Sequence, residues 1–117
     1  MYTSESPDFA EKLRQRKEAA RKTLRRTSTE ELHALGHELF PDGTHPWAVT
    51  FSQFVEEHKA EPAVRGETFE GIAFIYYPRS NRGIWYQRIG GAYAVGLLVG
   101  AAALKALSEI VSEAGIF

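Results

Sequence analysis

Pro62 separates two halves of the chain that have different hydrophobic periods, and this switch constrains the fold more than any other feature. Before it, apolar residues recur at three- and four-residue spacing, as on one face of a helix. After it come short runs of aromatic and β-branched residues, separated by Gly- and Pro-containing turns, as in strands. Strands that follow one another without intervening helices exclude an alternating βαβ plan. The pattern predicts an α+β fold.

The helical half divides into three. Ser6-Pro7-Asp8 combines an N-cap hydroxyl, a first-turn proline and an early acid, predicting a helix from about Pro7 to Arg26. Its apolar stripe is Phe9, Leu13, Ala20 and Leu24, interrupted by Arg16. Ser28-Thr29-Glu30-Glu31 has capping-box spacing and opens a second helix, reaching about Leu39, with Leu32, Leu35 and Leu39 inward. After the Pro41-Asp42-Gly43 turn, Thr44-His45-Pro46 begins a third helix. Trp47, Phe51, Phe54, Val55 and His58 share one of its faces, and Pro62 is its expected stop. His58, on an apolar face, reads as a packed core residue.

Three strands are then expected: Phe69 to Tyr77, Ile84 to Ile89 and Ala92 to Leu98. Pro78 to Gly83 and Gly90-Gly91 supply the turns. A last helix from about Ala101 to Ala114 turns Leu104, Leu107, Ile110 and Val111 inward and stops at Gly115. The expected architecture is three N-terminal helices, a three-stranded antiparallel meander and a C-terminal helix packed on the sheet. A length of 117 residues fits one domain, with 1–27 as a basic amphipathic helix able to serve as an arm and 28–117 as the α+β body.

Composition narrows the class. With 44% hydrophobic residues and a net charge of −1, wholesale disorder is excluded. The absence of cysteine excludes disulfide frameworks, thiolate metal sites and cysteine nucleophiles. Charges throughout the first 27 residues leave no apolar signal segment. Ile89 to Leu104 runs 16 residues without a charge, but a spanning helix needs about 20 apolar residues, and four glycines interrupt the run. A cytoplasmic protein without a membrane partner is expected.

Charge is distributed unevenly. Residues 1–27 hold eight basic and four acidic side chains, residues 28–70 two and nine, and residues 71–117 four and two. On the first helix Arg14, Lys17, Arg21 and Arg25 share a flank and could follow a phosphate backbone. In the Tyr76 to Arg88 hairpin, Arg79, Arg82 and Arg88 alternate with aromatics, and Tyr77 and Trp85 are the candidates for stacking on bases. The leading expectation is therefore a small non-enzymatic protein that binds nucleic acid or another polyanion. The alternative is a homo-oligomeric protein–protein interaction module in which the basic helix pairs with the acidic middle segment. Tyr, Trp and Arg in the hairpin suit a dimer interface equally well.

A third reading is divalent-metal binding. Glu30, His33 and His37 fall on one helical flank at i, i+3 and i+7, spacing that lets two imidazoles and a carboxylate approach one ion. The pattern is not HExxH, because Ala34 follows His33 where a glutamate would be required. No nucleophile elbow, phosphate-binding loop or dinucleotide fingerprint occurs, and no organic cofactor is implied.

Overall fold

The computed structural model describes residues 7–116. The proposed Ser6 cap and the side chain of Phe9 lie outside the described residues. The elements are α1 (Pro7–Thr23), β1 (Arg25–Thr27), α2 (Thr29–Leu39), α3 (Pro46–Glu57), β2 (Ala63–Glu67), β3 (Ala73–Tyr77), β4 (Arg82–Ile89), β5 (Ala92–Leu98) and α4 (Ala101–Ala114). The strands form one antiparallel sheet in the order β1-β2-β3-β4-β5.

The α+β class is as expected, but the sheet has five strands instead of three. Both additions come from segments without strand periodicity. Arg25–Thr27, read as the end of the first helix, pairs with β2 in the register Arg25↔Arg65, Arg26↔Val64, Thr27↔Ala63. Arginine is a good helix former, so only the tertiary pairing ends α1 at Thr23. Thr23 marks that end: its hydroxyl accepts a hydrogen bond from the Glu67 N–H at 2.6 Å and pins the helix to the sheet edge. Ala63–Glu67 is short and holds a glycine and two charges, yet Val64 is wholly buried. β3 starts four residues later than Phe69, because Thr68–Gly71 is a turn in which Gly71 has φ 80°. α3 ends at Glu57, ahead of Pro62.

Side-chain alternation gives the sheet two buried faces. Ala63, Ala73, Ile75, Tyr77, Ile84 and Tyr86 point to α2 and α3, meeting Leu32, Leu35, Leu39, Phe51 and Val55. Val64, Phe74 and Tyr76 point the other way, to Ala20 of α1 and Leu107, Ile110 and Val111 of α4. The expected cover by the C-terminal helix is thus present, and α1 lies beside it. Each fully buried Ile or Phe contributes roughly 2 kcal/mol of transfer free energy, so the α2–α3 face carries the larger share of the core.

The start signals for α2 and α3 hold. The Ser28 hydroxyl accepts from the Glu31 N–H at 3.1 Å, and His45 Nδ1 accepts from the Trp47 N–H at 3.0 Å with Pro46 following. His58 is buried, as its apolar surroundings implied: Nδ1 donates to the Phe54 carbonyl at 2.7 Å, and its ring lies 4.6 Å from that of Tyr77.

Candidate interaction site

The basic flank of α1 faces carboxylates of its own chain. Lys17 Nζ lies 3.2 Å from Glu109 of α4, and Arg21 pairs with Glu113 of the same helix. Arg14 bridges Glu11 and Glu18, the latter at 2.6 Å. Arg16, which interrupts the apolar stripe, reaches Glu70 at 2.6 Å. Among the described residues, that is the only ion pair linking the basic helix to the acidic middle segment. These pairs are partly exposed and screened by solvent, so each stabilises only weakly. Together they supplement the thin apolar face of α1, where Ala20 is the one buried residue among those described.

The hairpin residues scatter. Tyr77 is 1% exposed and packs between Phe54 and His58, so its ring offers no face to a base. Alternation alone cannot tell which of Tyr76 and Tyr77 meets solvent, and in this sheet neither does. Trp85 is half-buried and its indole lies across Gly96, where a Cβ would fall 2.5 Å from Nε1. With Phe74, Leu98 and Ala106 it lines an apolar groove of about 320 Å³ between α1 and α4. Arg79, Arg82 and Arg88 are exposed, and Arg88 Nε approaches the Gly90 carbonyl at 3.4 Å.

The proposed metal ligands do not converge. His33 Nε2 lies 2.8 Å from Glu56 Oε2 across the α2–α3 interface, while Glu30 and His37 stay exposed on α2. Among the described residues no group of three His, Asp or Glu side chains is arranged to hold an ion. Hydrogen bonding to His33, reinforced by the nearby Lys59 charge, holds Glu56 below the usual carboxylate range.

Two features lie outside every expected site. One is the free edge of β5. Among the described residues the strand pairs only with β4, so every second residue turns its N–H and C=O away from the sheet. Its sequence, AYAVGLL, carries no charge and no proline. Exposed apolar residues lie in it or beside it: Leu97 at 49% within the strand, Val99 at 73% just after it and Ile89 at 62% at the end of β4. The signal was present as an uncharged run, but only the strand order shows that it is an edge. The other feature is Arg65, which is half-buried and donates from Nη2 to the Tyr86 hydroxyl at 3.2 Å.

No protein-family model gives a significant match to the chain, and neither does any curated protein or solved structure. Among the described residues no helix is long and apolar enough to cross a membrane.

Proposed function

We propose that this protein is a homo-oligomeric interaction module that associates through β5. The observation that carries the reading is the contrast between its two sheet edges. β1 has three residues, two of them arginine, and charge is a common guard against edge-to-edge pairing. β5 is longer and unguarded.

A second copy is the favoured occupant because β5 is complementary to itself. An isologous antiparallel pair with its two-fold at Val95 sets Ala94 against Gly96 and Tyr93 against Leu97 of the other copy. Any charge near that axis would face its own image, and the strand has none. Such a pair continues the antiparallel sheet across both copies, with Ile89, Leu97 and Val99 adding apolar contact beside the backbone bonds.

The polyanion reading has less support, since three of the four N-terminal cations it relies on, Arg14, Lys17 and Arg21, already face carboxylates, while Arg25 lies in β1. The acidic-segment version of the oligomer has one internal pair, Arg16–Glu70, as its model.

Light scattering on an eluting gel-filtration peak tests the proposal. At micromolar concentration the expected mass is twice that of the chain. Leu97→Lys, which puts a charge on an exposed site of the edge, should give a monomer with unchanged circular dichroism. A monomeric wild type, or a Leu97→Lys dimer as tight as wild type, would overturn it.

A further inference from the structure

Where α1 hands over to β1, Lys22 and Arg25 gather beside Arg65 of β2, and among the described residues none of the three forms an ion pair. Arg25 and Arg65 stand directly opposite each other across the β1–β2 pair, and like charges so placed destabilise a sheet. Lys22, Arg25, Arg65, Glu67 and Tyr86 line a cavity of about 370 Å³ at this corner. Burial pushes the Tyr86 phenol up, the nearby Arg65 and Arg25 charges pull it back, and Glu67 pushes it up again. The hydroxyl is therefore a neutral donor and acceptor at physiological pH, beside two guanidinium groups.

We propose that this cavity binds a phosphate dianion, free or as a monoester on a small molecule. Three cations against the single Glu67 carboxylate leave two positive charges for a ligand to neutralise. Guanidinium forks match the paired oxygens of a phosphate. Lys22 sits in the last turn of α1, where one cation would offset the helix dipole. That role needs neither Arg25 nor Arg65, and it leaves their opposition unexplained. A bound dianion explains it by turning a repulsive pair into a bridged one. A small ligand is favoured over a nucleic acid because the cations converge on one cavity. The row that would have followed a polymer, along α1, is matched to Glu11, Glu18, Glu109 and Glu113.

Isothermal titration of the full chain with inorganic phosphate, with a simple alkyl phosphate and with a short single-stranded DNA tests the site. Both small phosphates should bind: tighter binding of the ester assigns the source to an organic phosphate, and equal binding assigns it to the free ion. Arg25→Gln and Arg65→Gln should each weaken binding about tenfold or more, the usual effect of losing one charged hydrogen bond, while Arg79→Gln should not. Without phosphate, Arg25→Gln should melt no lower than wild type, because it relieves the opposition, and it should lose the stabilisation that phosphate gives wild type. Arg25 is exposed, so this variant keeps the test open if Arg65→Gln does not fold. Failure of both phosphates to bind, binding insensitive to Arg25 and Arg65, or preference for DNA at matched phosphate concentration would each overturn the proposal.

Discussion

Tyr76 and Tyr77 are neighbours in β3 that meet different environments on opposite faces of the sheet. Both are 1% exposed. The Tyr76 hydroxyl donates to Asn81 Oδ1 in the following turn, where Asn81 adopts φ 55°. The Tyr77 hydroxyl is buried with no hydrogen-bond partner among the described residues. Burial, and secondarily the Glu61 carboxylate, push its ionisation from 10.0 up to about 12. The folded chain therefore keeps the Tyr77 proton at a pH where the unfolded chain has lost it. Below the unfolded value this costs nothing; as pH rises from there toward the folded value, unfolding is progressively favoured. Tyr77→Phe removes both the orphaned hydroxyl and this linkage. Its stability at neutral pH should stay within about 1 kcal/mol of wild type. Denaturant midpoints measured from neutral pH upward should fall less steeply for the variant between pH 10 and about 12. Parallel midpoint curves for the two proteins would contradict the assignment.

At the scale of elements, legibility followed the locality of the forces. α2, α3 and α4 were readable because their caps and stripes are encoded within a dozen residues: Ser28 and Glu31, His45 and Pro46, Leu107 and Val111. β1 and β2 were not, because Arg25–Thr27 and Ala63–Glu67 are strands only through each other and through β3. The β3–β4–β5 meander was legible in its turns, and its tight fit rests on Gly83. A Cβ at Gly83 would drive into the Ile75 carbonyl of β3 and come 2.7 Å from Leu98 of β5. Backbone cannot move aside within a paired sheet, so Gly83→Ala should destabilise by about 3 kcal/mol, the upper end for overpacking. Chemical denaturation would measure it. At Gly43, where nothing lies within 4 Å of such a Cβ, the same change should have little effect.

For the whole molecule, the three charge blocks of the sequence were legible, but their pairing was not. The basic N-terminal block suggested an external anion or the acidic middle segment. In the fold α1 lies beside α4, and Glu109 and Glu113, from a segment that is basic on balance, face Lys17 and Arg21. Spacing along a helix shows which cations share a flank, but not which helix will lie next to it. This internal matching sets the salt response of the two modes of association. An oligomer held by basic helix against acidic segment would loosen as salt screens it. A β5–β5 pair has no charge along the strand, and its apolar contacts would be preserved or strengthened by a structure-making salt. Sedimentation equilibrium across a chloride series and then a sulfate series should therefore show an association constant that holds steady in chloride and rises in sulfate. Double-reversal of Arg21 and Glu113 (Arg21→Glu with Glu113→Arg) should leave that constant unchanged, because the pair joins α1 and α4 within one chain. An association that weakens steadily with chloride would instead return the interface to the charged surfaces.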